Sequence, residues 1–261
     1  MKVNDFFGFS SSPFTRSISA IYESKDYLEI SKRLDFFIGE DGVGLITGLH
    51  GLGKTMMVDY LLDSTNKVIY IQNNELTLFE FFNYLGKQLD VKTSHCHMSQ
   101  ILADIDNRVM TYYSAGKKVV LVIDDVDDIS YKIIEALKYL YETRHDKGKG
   151  MSVLLLGHPS FRTRCKDPRF SFLINNIITN YDCVGLSLNE TKEYINHRLR
   201  CVGYTDNLID DKYFNTIYSY TEGNPGIINK YMSTLLLTAF ISNTKDIDNK
   251  LLKTAKEEME I

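Results

Sequence analysis

With 261 residues, 44% apolar and 25% charged, the chain can form one large domain or two modest ones, and it lies outside the disordered and fibrous classes. A net charge of −4 excludes a molecule that holds nucleic acid by bulk positive charge, while leaving room for a local basic face. Four scattered cysteines (Cys96, Cys165, Cys183, Cys201) without a C-x-x-C pair argue against disulfides and zinc. With no apolar run of the ~18 residues that a membrane span needs and no signal pattern, the expected location is cytoplasmic.

The first 23 residues hold Phe6-Phe7-Gly8-Phe9 and Ser12-Pro13-Phe14. Aromatics interleaved with Gly, Ser and Pro suggest an irregular arm rather than a regular helix. Two readings of its rings stay open, hydrophobic anchoring or a wall of an adenine pocket. Residues 24–39 look helical, with Ser24 as cap and Tyr27, Leu28, Leu34 and Phe37 at helical spacing. Val43–Thr47 reads as a buried strand. Gly48-Leu49-His50-Gly51-Leu52-Gly53-Lys54-Thr55 follows and matches G-x-x-x-x-G-K-[ST], the phosphate-binding loop of nucleotide triphosphatases. The glycines let backbone N–H groups close round a phosphate. Lys54 supplies a cation for the β and γ phosphates, the Thr55 hydroxyl can ligate Mg²⁺, and the helix opening at Met56 turns its positive end to the anion.

Lys67–Gln72 is a second strand, and helices are expected over Leu78–Leu89 and Met98–Tyr113. Between them His95 and His97 lack further ligands and read as solvated loop residues. Lys118–Ile123 ending in Asp124-Asp125 reads as a central parallel strand opening on the nucleotide, a Walker B segment about 70 residues after the loop. Asp124 is the candidate metal carboxylate and Asp125 the candidate for polarising the attacking water. A helix over Ile133–Tyr141 precedes the strand Met151–Gly157, which ends at His158, either a sensor of the γ phosphate or the turn residue closing a strand. The last strand is expected over Ile177–Leu186. Strands alternating with helices imply a P-loop α/β fold with a parallel central sheet covered on both faces. From Ser187 the strand signal stops, and helices are expected over Leu188–Val202, Asp211–Tyr220, Pro225–Ile241 and Lys245–Met259. The expected organisation is an arm over 1–23, a nucleotide-binding core over 24–186 and a small all-α lid over 187–261.

Residues 144–169 carry seven basic residues against two acidic ones. Lys147, Lys149, Arg162, Arg164, Lys166 and Arg169 are therefore candidates for phosphate-backbone contacts with DNA, against the alternative of ordinary loop charge.

With these parts in place the chain resembles the ExeA-type AAA+ ATPases. That group includes the secretion-associated A proteins and the helper ATPases encoded beside bacterial transposases. The likeness rests on Phe7-Gly8-Phe9 with Pro13-Phe14, Gly48–Thr55, Ile123-Asp124-Asp125, Leu155-Leu156-Gly157-His158-Pro159, Tyr194–Leu199 and Gly223-Asn224-Pro225. It implies ATP and Mg²⁺, with nucleotide contacts from Phe9, Pro13, Phe14, Gly48, His50, Gly51, Leu52, Gly53, Lys54, Thr55, Met56, Arg198 and Pro225. It implies catalytic roles for Lys54, Asp125 and His158, and Mg²⁺ held by Thr55 and Asp124. It also implies ATP-dependent rings or filaments and, for the transposon members, non-specific binding of double-stranded DNA and recruitment of a transposase.

Four departures bear on rate. Asp125 stands where the group has Glu, and His158 where it has Gln. Asn175-Asn176-Ile177 lacks the arginine that reaches a neighbour's phosphate. Gly223-Asn224-Pro225-Gly226 lacks a second sensor arginine. Loss of a trans arginine alone costs ~10³-fold or more, so firm ATP binding with slow hydrolysis is expected. The same loop, Walker B and Gly223-Asn224-Pro225 also resemble signalling switch ATPases, in which Asp-Asp is normal. Their winged-helix and repeat domains are not expected here, nor are the membrane span and wall-binding domain of the secretion ATPases.

Overall fold

The computed structural model of the protein describes residues 2–15, 20–40, 42–62, 66–72, 76–91, 97–142 and 151–259. In chain order the first half runs α1 (Val3–Phe7), α2 (Lys25–Gly39), β1 (Val43–Thr47), α3 (Lys54–Leu61), β2 (Lys67–Gln72), α4 (Leu78–Gln88), α5 (Met98–Ser114) and β3 (Val119–Asp124). The second half runs α6 (Tyr131–Glu142), β4 (Met151–Gly157), α7 (Ser160–Arg164), α8 (Ser171–Asn176), β5 (Ile177–Asp182), α9 (Leu188–Arg200), α10 (Phe214–Thr221), α11 (Pro225–Ile241) and α12 (Asn249–Met259). Two compact units divide the chain. One holds Glu29–Leu49 and Lys54–Cys183, the other Met1–Leu28, His50–Gly53 and Val184–Ile261.

The first unit is built on a five-stranded sheet in the order β2-β3-β4-β1-β5, with every pair parallel. Its three inner strands are continuous apolar runs, buried on both faces except at Asp124. On one face Val43, Leu45, Val153 and Leu155 join Phe81, Phe82, Ile105, Val109, Ile133 and Leu137 of α4, α5 and α6. On the other, Gly44 lets α2 come close: a Cβ there would lie 3.2 Å from the Phe37 ring and 2.7 Å from Leu154. The edge strand β5 alternates half-buried and exposed residues and ends at Asp182, four residues short of the expected Leu186. Cys183 still donates to Thr47 O (2.7 Å), but in the other unit Gly185 at φ 86° turns the chain away.

The topology decides where the chemistry lies. Ligands of open α/β sheets sit beyond the carboxyl ends of the strands. Here β4 runs between β1 and β3, so His158 leaves the sheet between the end of β1 and the acidic end of β3.

The second unit is helical. α9 starts with a capping box in which Ser187 and Glu190 satisfy each other's backbone amides. Leu235, Met232, Tyr231 and Ile228 of α11 form its centre with Ile195, Leu199, Ile217 and Leu252. Phe7, Phe9 and Phe14 are buried in this same cluster, so the aromatic segment shares the core of the C-terminal helices. The expectation of no regular helix in that segment is corrected by α1. Gly8 at φ 82° closes its single turn, letting its own amide and that of Phe9 both donate to Asn4 O. The last helix starts at Asn249 rather than Lys245, because Asp248 accepts from Leu251 N (2.8 Å) and caps it there. Tyr213 closes a 3-10 turn before α10, which shortens the helix expected from Asp211. Among the described residues no helix is long and apolar enough to cross a membrane.

Candidate nucleotide site

The loop after β1 carries two left-handed glycines, Gly51 at φ 86° and Gly53 at φ 84°. These conformations turn backbone amides inward without steric cost. Lys54 opens α3 and is only 9% exposed. Its ammonium donates to Gly48 O (2.7 Å) and Leu49 O (3.1 Å). Both partners are neutral carbonyls, so a buried charge stands without a counter-charge among the described residues. That is the condition under which a polyanion is attracted most strongly. Thr55, one residue on, donates its hydroxyl to Asp124 Oδ2 at 2.5 Å. The contact joins the loop's helix to the end of β3 across 69 residues of sequence. A hydroxyl and a carboxylate oxygen side by side are hard oxygen donors of the kind that hold Mg²⁺ alongside phosphates and water, so these residues fit that ion.

Asp125 sits in the left-handed region at φ 53°, ψ 49°, and its N–H donates to Asp124 Oδ1 (3.0 Å). Its own Oδ2 accepts from Gln72 Nε2 (3.2 Å). Gln72 is the β2 residue in register with Asp124, so two neighbouring strands end in one polar cluster. A non-glycine residue held in this conformation is strained, and such strain is concentrated at functional sites.

His158 Nδ1 lies 2.9 Å from Ser160 Oγ and 3.3 Å from Ser160 N. Its backbone N–H donates to Asp127 Oδ2 (2.8 Å). The ring therefore caps the start of α7, while Asp127 ties the ends of β3 and β4 together. At Gly157 a Cβ would meet Val126 at 2.8 Å, which shows how close these ends approach.

In the helical unit, loop residues His50 and Gly51 are clasped by the start of α11. Asn224 Nδ2 donates to His50 O (2.8 Å), and Gly226 N donates to Gly51 O (2.9 Å). Asn224 Oδ1 also accepts from Gly226 N (3.0 Å) and Ile227 N (3.2 Å), capping the helix, with Pro225 at its first position. A Cβ on Gly51 would lie 2.6 Å from Asn224 Oδ1. Leu52 is buried, Met56 is exposed, and Gly48 is buried at the strand end.

The remaining candidates are engaged elsewhere. Arg198 is 5% exposed and gives its guanidinium to the carbonyls of Pro13 (2.9 Å) and Thr15. Phe9 and Phe14 are core residues, which favours anchoring over a pocket wall. Of the basic set, Arg162 donates to Thr47 Oγ1 (2.7 Å), itself bonded to Asp182 (2.9 Å). Arg164 binds the carbonyls of Asp127 and Ile129 and lies over Phe170. Arg169 pairs with Asp167, whose carboxyl is held down to about 2 by that hydrogen bond. Lys166 is exposed, and Lys147 and Lys149 lie outside the described residues. Among the described residues these cations are thus not gathered into one free patch. Gln72, Asp127 and Asn224 carry contacts that sequence reasoning did not assign. Asn224 stood in a quoted motif, but its bonds to the loop depend on folding.

Residues 38–165 match the family model for an AAA domain. Over 250 residues the chain is 26% identical to General secretion pathway protein A of Aeromonas hydrophila, covering 93% of this chain and 46% of that protein. Through residues 38–165 the chain is thus similar to the AAA domains, and over most of its own length to that secretion-pathway protein. It spans less than half the length of that secretion-pathway relative. It is also 19% identical to a potential ATP-binding protein of Staphylococcus aureus, over 92% of this chain and 96% of that one. In fold the chain is similar to Cdc6p from Pyrobaculum aerophilum, with a TM-score of 0.75 and 14% identity over 95% of this chain and 70% of that one. ORC1 of Aeropyrum pernix, solved in complex with DNA, gives 0.69 and 11% over 95% and 69%. RuvB of Thermotoga maritima gives 0.59 and 16% over 90% and 70%. At such identities these structures speak to the fold alone.

Proposed function

We propose that this ATPase is a slow Mg²⁺-ATP switch that assembles with copies of itself on double-stranded DNA and presents the ATP-bound assembly to a transposase. The observation that carries the nucleotide part is the contact of Thr55 with Asp124, beside a buried Lys54 that lacks a counter-charge. In this reading Lys54 Nζ leaves the Gly48 and Leu49 carbonyls for phosphate oxygens, and the loop amides of His50 to Thr55 close round them. Thr55 Oγ1 and Asp124 hold Mg²⁺, which when bound offsets the negative charge of the phosphates. Asp125 accepts a proton from the attacking water at its carboxylate, with Gln72 orienting that group. Its side chain is one methylene shorter than glutamate, and Asn175, Asn176 and Asn224 supply no cation, so hydrolysis is slow. His158, at the end of β4 between β1 and β3, serves in this reading as the sensor of the γ phosphate. In this reading the chain works as a nucleotide-binding core over 24–186 and a helical lid over 187–261, with an arm over 1–23.

The DNA and transposase parts are supported by the family resemblance and by the likeness to an ORC1 protein solved with DNA. A second reading, a secretion-associated ATPase, is favoured by the Aeromonas relative. Fluorescence anisotropy on a random duplex across a salt series, with ATP, ADP or a non-hydrolysable analogue, separates them. Tight, salt-sensitive binding with ATP or the analogue alone, lost in Lys54→Ala, supports the DNA reading. Absence of binding in every nucleotide state at low salt overturns it.

A further inference from the structure

Tyr70 is half-buried on β2, yet its hydroxyl oxygen is shut off from water and has no hydrogen-bond partner among the described residues. A buried polar group left unpaired is costly, and in a folded protein it calls for an explanation. Its surroundings supply one. Tyr70 stands in register with Val122, and Gln72 with Asp124. With side chains alternating along a strand, Tyr70, Gln72, Val122 and Asp124 share one face of the sheet. Burial pushes the phenol up, and the negative charges of Asp59 on α3 and Asp124 on β3 push it the same way. Asp59 lies one helical turn beyond Thr55, on the same side of α3. The hydroxyl is thus an unpaired donor within electrostatic reach of two carboxylates, one of which accepts from Thr55.

We infer that Tyr70 is a positioning residue for the metal carboxylate: once Thr55 gives up Asp124 to ligate Mg²⁺, the Tyr70 hydroxyl takes its place as the donor that orients Asp124. The inference rests on the proposed Mg²⁺-ATP site. Here Thr55 donates to one oxygen of Asp124 and the Asp125 amide to the other, so the carboxylate is held without help from the phenol. Groups that hydrogen-bond to metal ligands fix their orientation, and losing one costs about 10–100-fold in metal affinity.

The test is Tyr70→Phe, which removes the hydroxyl and keeps the ring. Binding of a fluorescent ATP analogue is measured in EDTA and then titrated with MgCl₂, with thermal unfolding of the Mg²⁺-free protein beside it. The expected result is an unchanged or higher unfolding temperature, unchanged affinity in EDTA, and a Mg²⁺ midpoint raised about tenfold. Tyr70→Phe with the wild-type midpoint overturns the inference and leaves the nucleotide site standing. Equal losses with and without Mg²⁺ also overturn it, because the tyrosine then serves packing alone. If the wild-type protein shows no Mg²⁺ dependence at all, or Asp124→Ala does not change it, the site reading itself falls and the inference with it.

Discussion

Asn224→Ala tests the clasp between α11 and the phosphate loop. The substitution removes the acceptor for two helix amides and the donor to His50 O. Loss of an N-cap costs about 1 kcal/mol. The Nδ2–His50 bond contributes about 1 kcal/mol net, and Asn224 is 6% exposed, so water replaces it poorly. The expected destabilisation is about 2 kcal/mol, which for a chain of this size lowers Tm by about 4–8 °C. The loop keeps the bond from Gly226 N to Gly51 O but loses the one at His50 O, so affinity for ATP falls as well. Asn224→Asp keeps the acceptor and loses the donor. It also places a negative charge at a helix N-terminus, which returns part of the lost stability. Its Tm should therefore lie between those of the wild type and Asn224→Ala, while its carboxylate faces the His50 carbonyl and ATP affinity drops at least as far. Differential scanning calorimetry with and without nucleotide reads both effects. An Asn224→Ala protein within 1 °C of wild type and unchanged in ATP affinity would refute the clasp.

Substitutions at two other residues probe the reaction and the helical unit. Asp125→Asn should lower kcat about 100-fold or more with ATP affinity retained, as expected for loss of a general base, whereas Asp125→Glu should raise kcat; single-turnover hydrolysis checks both, and equal rates in all three proteins contradict the role. Glu190 is pulled upward by burial, but amides of Lys25 and Ser187 and the Ser187 hydroxyl outweigh this and hold its carboxyl below the 4.5 of an unperturbed glutamate. A depressed folded value means that its stabilisation is complete above about pH 4.5 and is lost as pH falls through the folded value. Tm measured from pH 6 down to pH 3 should therefore fall more steeply in the wild type than in Glu190→Gln, and parallel curves would remove Glu190 as a contributor.

Much of the α/β core was legible because it rests on local rules. Val43–Thr47, Val119–Asp124 and Met151–Gly157 are apolar runs too short for helices and too continuous for exposed strands, and a sheet buried on both faces requires such runs. The glycine spacing from Gly48 to Gly53 and the following Lys54-Thr55 name a phosphate loop by chemistry alone, since few other sequences combine that backbone freedom with that cation and hydroxyl. The contact of Thr55 with Asp124 follows once the loop and helix after β1 meet the end of β3 at one edge of a parallel sheet. The uses of the polar side chains lie beyond that reach. Arg162 and Arg164 read as a basic surface, yet the fold turns them on Thr47, Asp127 and Ile129. Arg198 closes on carbonyls more than 180 residues away. α1 forms although its aromatic sequence argues against a helix, because Phe7 gains burial among helices from the other end of the chain. Periodicity and motif spacing report what a segment prefers among its own neighbours. Which donor meets which acceptor depends on strand register and on packing between distant segments, and so the clasp of Asn224 and the unpaired hydroxyl of Tyr70 exist only in the folded chain.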